Sequence, residues 1–65
     1  SGEPATERQV RAIYAIGRAG HLADAEIVAR CQEHLGCPPE QLDRRGASTF
    51  IDLLKQELSG GVAQQ

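Results

Sequence analysis

One segment contains a helix start, an apolar face and a basic face: TERQVRAIYAIGR, running from Thr6 to Arg18. Thr6 followed three positions later by Gln9 is a capping box, in which each side chain accepts a hydrogen bond from the other residue's amide. The apolar residues after it recur with helical spacing: they are Val10, Ile13, Tyr14 and Gly17, with Ile16 beside them. Gly20 suits the left-handed position that ends many helices. The pattern predicts a helix over residues 7–19.

A second helix is predicted after the short connection His21-Leu22-Ala23. It starts at Ala23 or Asp24, closes at Gly36, and has an apolar face made by Ile27, Val28, Cys31 and Leu35. Pro38 and Pro39 cannot continue it, because proline lacks an amide proton and restricts the residue before it. We therefore expect a single turn there that brings Leu42 into the core.

Asp43 is the predicted cap of a third helix. Its apolar residues recur with the same period: Ala47, Phe50, Ile51, Leu54 and Leu58, with Leu53 at the edge. Because three short helices with one apolar stripe each must pack on one another, the sequence predicts an all-α fold, a compact three-helix bundle. Residues 5–59 form this domain. Residues 1–4 are predicted to be a disordered N-terminal segment or a cloning remnant, and 60–65 a flexible tail after Ser59-Gly60-Gly61.

The composition favours an interaction module over an enzyme. A chain of 65 residues is one domain at most, and its core must be built from Ile, Leu, Val and Ala, since it has one Phe, one Tyr and no Trp or Met. It contains no nucleophile elbow, phosphate-binding glycine loop or HExxH motif. We expect no catalytic residues, no cofactor and no small-molecule substrate. No apolar run approaches the ~20 residues that a membrane span requires, and two cysteines suit a cytoplasmic protein.

Cationic residues form two stripes. Arg8, Arg11 and Arg18 share the side of the first helix opposite Ile13 and Ile16, and the third helix carries Arg44, Ser48 and Lys55 at similar spacing. Guanidinium groups bind phosphates well, because their donors match the oxygens. An ordinary solvated helix face and a contact with an acidic protein are the other interpretations, and the net charge of -2 argues against a strongly basic DNA-binding domain. Tyr14 is the one aromatic candidate at this surface.

A candidate metal site consists of Cys31, His34 and Cys37, with His21 as a fourth ligand. A Cys and a His three positions apart on a helix can reach one zinc ion. The spacing matches no familiar zinc module, however, and Cys31 lies on the apolar stripe, where a thiol acts as a small hydrophobe. The sequence therefore favours packing over metal binding.

The chain resembles a small helical domain found at the carboxy-terminal end of bacterial and phage single-strand-annealing recombination proteins. The resemblance covers about residues 5 to 58. It is carried by the segment 5–18 (ATERQVRAIYAIGR), by Gly20-His21-Leu22, and by the segment 42–54 (LDRRGASTFIDLL). Two positions depart from the pattern: Ala23 replaces a serine or threonine cap, and Gly46 replaces a helix-forming residue.

The resemblance implies an accessory domain of a larger DNA recombination or repair protein. Two functions are open. In the first, the residues Arg8, Arg11, Arg18, Arg44 and Lys55 contact the phosphates of single-stranded DNA, or of DNA in general, weakly and without reading sequence. In the second, the domain docks a repair-protein partner through the arginine face or a groove beside Tyr14, and binds no nucleic acid.

Overall fold

The computed structural model describes the backbone of residues 2–63 and the side chains of residues 2–58. Over this part of the chain the regular structure consists of three α-helices and one 3₁₀ turn. They are α1 (Glu7–Ala19), α2 (Asp24–Leu35), the 3₁₀ turn (Pro39–Gln41) and α3 (Arg44–Ala63). The predicted all-α three-helix bundle is confirmed.

Helices α1 and α3 run in the same direction, and α2 runs against both. Near their starts, the Gln9 side-chain amide donates to the Arg44 carbonyl over 3.3 Å. Near their ends, Gly20 lies against Leu58. On the other side of the bundle, Arg30 of α2 forms an ion pair with Glu57 of α3. The chain therefore brings the first turns of α1 and α3 together at one end of the bundle.

Each helix contributes its predicted apolar stripe to one core. The buried hydrophobic residues are Ile13, Ile27, Cys31, Leu42, Ala47, Phe50 and Leu54. The predicted turn before α3 is present, and Leu42 is buried as expected, beside the buried Pro39. The outer members of the stripes are half-buried. Spacing alone thus identified the core, because an exposed apolar face on any of these helices would be left in water.

The ends of α1 combine one confirmed prediction and one wrong one. The Thr6–Gln9 capping box is present, with hydrogen bonds of 3.0 and 3.1 Å. Gly20, however, has an ordinary φ of -92°. Instead His21 takes the left-handed conformation, with φ 70°. The Leu22 amide then donates to the Gly17 carbonyl over 2.9 Å, which completes the capping of the helix end. Gly20 serves packing instead, since a Cβ there would lie 2.6 Å from Leu58 Cδ2.

Helix α2 starts with half a capping box. The Ala23 amide donates to the Glu26 carboxylate over 2.9 Å, but the alanine methyl group has no oxygen to accept the Glu26 amide. The Ala23 backbone already has the extended conformation of a cap residue, with φ -76° and ψ 159°. A side chain with a hydroxyl group at this position would complete the capping box.

Replacing Ala23 with serine is therefore expected to stabilise the domain by about 1 kcal/mol, because the serine oxygen can accept the free amide proton. The measurement is the free energy of unfolding from urea titration followed by circular dichroism. Ala25→Ser, on the exposed side of the same helix, is the control and should be neutral or slightly destabilising. Equal changes in both variants would contradict the capping explanation.

The start of α3 is held by Asp43 and by the segment before α1. Asp43 caps the helix as predicted, accepting the Gly46 amide at 2.6 Å. Gly46, which stands where the resembled pattern has a helix-forming residue, leaves room for this contact, since a Cβ there would lie 2.9 Å from the Asp43 carboxylate. The Arg44 amide donates to the Glu3 carbonyl at 2.8 Å, and the Ala5 amide to the Leu42 carbonyl at 2.9 Å. The cap is thus part of a tertiary contact.

Two boundaries in the structure differ from those expected from the sequence. Glu3 and Pro4, which the sequence predicts as disordered, lie against residues 42–44; Ser1 is outside the described residues. Helix α3 was expected to end at Ser59-Gly60-Gly61, yet it continues to Ala63. Glycine costs a helix only about 1 kcal/mol per residue, and no proline follows to end it. Residues 64 and 65 of the predicted tail are outside the described part.

Candidate functional site

Arg8, Arg11 and Arg18 all lie on the exposed side of α1, as the spacing predicts. Two of the three have acidic partners. Arg11 Nη2 lies 3.1 Å from Glu7 Oε2, with the two side chains 79% and 82% exposed. Such an exposed pair adds little stability, but it lowers the net positive charge of the face. The arginines are therefore accessible without forming an uncompensated basic stripe.

Arg18 is engaged more firmly than Arg11. Its Nε and Nη2 atoms donate to both carboxylate oxygens of Asp24 at 2.9 and 2.8 Å. These hydrogen bonds lower the pKa of the Asp24 carboxyl and raise the pKa of the Arg18 guanidinium. The planar guanidinium of Arg18, which could donate to a phosphate in the same way, is thus already bound to a carboxylate of the same molecule.

The predicted cations of α3, Arg44 and Lys55, lie far apart along a long helix. Arg44 Nη1 lies 3.2 Å from Glu3 Oε1 at the start of the helix, and the exposed Lys55 is three turns further on. Within residues 2–58, Arg8 and Arg45 have no carboxylate partner. Arg45 is not among the predicted site residues, because nothing in the periodic pattern distinguishes it from other exposed cations. The predicted cations do not converge on one site.

Tyr14 is tied to the turn before α3. Its hydroxyl donates to Glu40 Oε2 over 2.6 Å, and its ring is half-buried against the core. Burial, together with the hydrogen bond and the Glu40 charge, raises the pKa of Tyr14 to about 12. Tyr14 is therefore a link between α1 and the turn, and its face is not presented as a stacking platform.

The raised pKa predicts a loss of stability in strongly alkaline solution. Because the pKa of Tyr14 is higher in the folded state than its ordinary 10.0, its contribution is complete below pH 10 and is lost as the pH rises to about 12. The phenolate absorbance should have its midpoint near pH 12. In Glu40→Gln the midpoint should fall yet stay above 10, since desolvation, the largest cause, remains. An ordinary midpoint in the folded wild-type protein would contradict this geometry.

The four metal-ligand candidates occupy different environments. Cys31 lies in the core, where burial raises the pKa of its thiol to about 11, while Cys37 is half-buried. His21 and His34 are exposed, His21 at the end of α1 and His34 in the last turn of α2. Among residues 2–58 no three potential ligands converge on a point that could hold a metal ion. The structure places Cys31 as a core residue.

An apolar groove lies between the last turns of α1 and α3. Its walls are Ile16, Ala19 and Gly20 on one side and Lys55 and Leu58 on the other, and it encloses about 440 Å³. Among the described side chains that line it, Lys55 is the one that carries a charge. Leu58 was predicted as a core residue, but it is half-buried and packs on Gly20 at the edge of the bundle. This groove is the feature that sequence reasoning missed, because it depends on how two distant helices meet.

No family model, curated protein or solved structure matches this chain. In the described part of the chain, no helix has the length and apolar character needed to cross a membrane. The assignment of function therefore depends on the surface described above and on the resemblance of its sequence motifs.

Proposed function

We propose that this chain is a non-enzymatic accessory module of a DNA recombination or repair protein, and that it docks a protein partner in the groove between α1 and α3. The observation that carries docking is the groove itself, an open and largely apolar surface lined by Ile16, Ala19, Gly20 and Leu58 beside Lys55. Apolar surface left in water is unfavourable until a partner covers it. The recombination context comes from the resemblance of residues 5–58.

The state of the arginines supports docking over phosphate binding. Arg11, Arg18 and Arg44 each lie beside a carboxylate of the same chain. A DNA phosphate would have to compete with these groups, and the counterion release that drives DNA binding would be reduced accordingly.

Site-specific photocrosslinking in the native host tests this proposal. A photoreactive amino acid replaces Ala19, an exposed residue of the groove wall, and the control carries it at Ala25 on the exposed side of α2. We expect a discrete protein adduct from position 19 that survives nuclease treatment and is absent from position 25. Adducts to nucleic acid alone, or equal protein labelling at both positions, would contradict docking in the groove.

Weak contact with DNA phosphates is the second candidate function. It is favoured by Arg8 and Arg45, which lack acidic partners among residues 2–58 and lie at the end of the bundle where α1 and α3 both begin. Fluorescence anisotropy with a labelled single-stranded oligonucleotide measures this contact.

If both arginines contact phosphates, the double variant Arg8→Ala/Arg45→Ala should bind more weakly and reduce the salt slope by about 1.4, at about 0.7 per contact. Arg11→Ala, whose guanidinium already has a carboxylate partner, is the matched control. An affinity for the oligonucleotide that is the same at about 50 and 200 mM salt would contradict contact with DNA phosphates.

A further inference from the structure

The segment before α1 lies antiparallel to the segment that begins α3. The Ala5 amide donates to the Leu42 carbonyl over 2.9 Å, and the Arg44 amide donates to the Glu3 carbonyl over 2.8 Å. We call residues 2–5 the N-terminal strap. Through these two hydrogen bonds the backbone of the strap covers the start of α3.

The strap also places a negative charge on Arg44. The Glu3 carboxylate oxygen Oε1 lies 3.2 Å from Arg44 Nη1, with the two side chains 72% and 60% exposed. Glu3 is the one acidic residue of the strap, and within residues 2–58 it is the one carboxylate that pairs with Arg44. Glu3 therefore holds Arg44 both by its backbone and by its side chain.

The other cations at this end of the bundle lack such a partner. Helices α1 and α3 both begin here, and the Gln9 side chain of α1 donates to the Arg44 carbonyl. Arg8, beside Gln9, and Arg45, beside Arg44, have no carboxylate partner among residues 2–58. Arg44 is thus the one arginine of these three whose charge is compensated by the strap.

Two further carboxylates lie near the starts of these helices, and each has another role. Glu7 pairs with Arg11 on α1. Asp43 caps α3 by accepting the Gly46 amide. Both lie within a helix or directly before it, so they remain in place if the strap detaches. Glu3 is the carboxylate at this end that leaves with the strap.

The strap can detach without unfolding a helix. Residues 2–4 are exposed, and Ala5 is half-buried. Helix α1 has its own cap in the Thr6–Gln9 box, which lies outside the strap. Segments with few buried apolar contacts and exposed hydrogen bonds open locally at low free-energy cost, and an exposed ion pair adds little to hold them.

We propose that the N-terminal strap is autoinhibitory. Bound to the start of α3, it withholds Arg44 from phosphates; released, it lets Arg44 join Arg8 and Arg45 in contacting single-stranded DNA. This inference rests on the second candidate function, weak contact with DNA phosphates. A nucleic acid that binds the released form more tightly shifts the equilibrium towards release. The affinity for DNA and the position of the strap are therefore coupled in both directions.

The variant Glu3→Gln tests the inhibition, because it removes the carboxylate and keeps the backbone carbonyl. The measurement is fluorescence anisotropy with a labelled single-stranded oligonucleotide at about 50 to 200 mM salt. We expect the affinity at low salt to rise about two- to fivefold, the range that an exposed ion pair supports. The salt slope should steepen by about 0.7, the value for one added phosphate contact.

The matched control is Glu26→Gln, which makes the same change of charge in the first turn of α2, at the opposite end of the bundle. Its amide oxygen can still accept the Ala23 amide, so the start of α2 is retained. Glu26→Gln should leave the salt slope unchanged. An equal effect of Glu3→Gln and Glu26→Gln would show a general response to net charge and would overturn the inference.

A double-mutant cycle tests whether the gain passes through Arg44. In an Arg44→Ala background, Glu3→Gln should have no effect beyond that of Glu26→Gln, because the arginine that it frees is absent. The same gain with and without Arg44 would contradict autoinhibition by the strap. Circular dichroism of each variant separates changed binding from changed folding.

Amide hydrogen exchange measured by NMR follows the strap directly. The Ala5 amide, which donates to Leu42, reports on the strap, and the Phe50 amide in the middle of α3 reports on the bundle. Added oligonucleotide should speed exchange of the Ala5 amide severalfold and leave that of Phe50 unchanged. Binding that slows exchange at Ala5, or leaves it unchanged, would show that the strap stays in place and would overturn the inference.

The outcomes separate this inference from the function on which it rests. If the wild-type chain binds the oligonucleotide and Arg8→Ala/Arg45→Ala weakens binding, while Glu3→Gln behaves like Glu26→Gln, contact with DNA stands and the strap has no inhibitory role. If neither the wild-type chain nor Glu3→Gln binds at low salt, both are wrong. Binding by Glu3→Gln alone would be the strongest form of the expected result.

Discussion

Replacing Phe50 with alanine is expected to leave the domain largely unfolded at room temperature. Phe50 is fully buried and heads the fully buried side chains in volume. Truncating a buried phenylalanine costs about 3–5 kcal/mol, because the apolar contacts are lost and a cavity remains. In a chain shorter than about 70 residues, a single hydrophobic core rarely supplies more than about 3–5 kcal/mol of stability. The cost of this one substitution is therefore comparable to the whole.

The measurement is urea-induced unfolding followed by far-ultraviolet circular dichroism, with the wild-type chain and Thr49→Ala in parallel. Thr49 is the preceding residue and is exposed on the same helix, so its substitution should change the free energy of unfolding by no more than about 0.5 kcal/mol. A cooperative transition in Phe50→Ala with a midpoint near that of Thr49→Ala would show that α3 is not anchored through this ring.

Replacing Gly17 with valine is the second substitution with a large expected effect. Gly17 is buried where α1 meets α2, and a Cβ there would lie 2.5 Å from Ile27 Cγ1. Ile27 is itself fully buried, so its side chain could make room only by shifting within the core. Overpacking of this kind costs about 1–3 kcal/mol, which exceeds the few tenths that valine gains over glycine in helix propensity. We expect a loss of about 2 kcal/mol in the free energy of unfolding.

A double-mutant cycle tests the cause. Ile27→Ala removes the atoms that the new side chain would strike, so the combined variant should lose less stability than the sum of the two single losses. Ala15→Val, at an exposed position of α1, is the control for the propensity of valine alone. Strict additivity of Gly17→Val and Ile27→Ala would contradict the close approach of α1 and α2 at this point.

The local features of the fold could be predicted because each is encoded within a few neighbouring residues. The Thr6–Gln9 box, the left-handed Gly36 and the Asp43 cap depend on contacts three or four residues apart. The turn at Pro38 and Pro39 follows from the missing amide proton. The buried residues follow from periodicity, because each helix has only one side that can be removed from water.

The contacts at the surface were less predictable, because a helical wheel shows in which direction a side chain points but not which residue it contacts. Arg44 pairs with Glu3, far away in the chain, and Tyr14 donates to Glu40 across the bundle. The left-handed residue after α1 is His21, whereas Gly20 packs against Leu58 from the far end of the chain. These partners are far apart in the sequence, so no local pattern could indicate them. The spacing of the arginines therefore suggested a more strongly basic face than the structure has.

By itself the sequence determined that three helices form, nearly where each begins, and which side of each is buried. Short-range hydrogen bonding and the removal of apolar surface from water suffice for that. Only the tertiary structure decided which arginines are compensated, and that an apolar groove opens between the ends of α1 and α3. Both depend on residues brought together from distant parts of the chain. Which of these residues come into contact is decided by how the helices pack and not by the residue types alone.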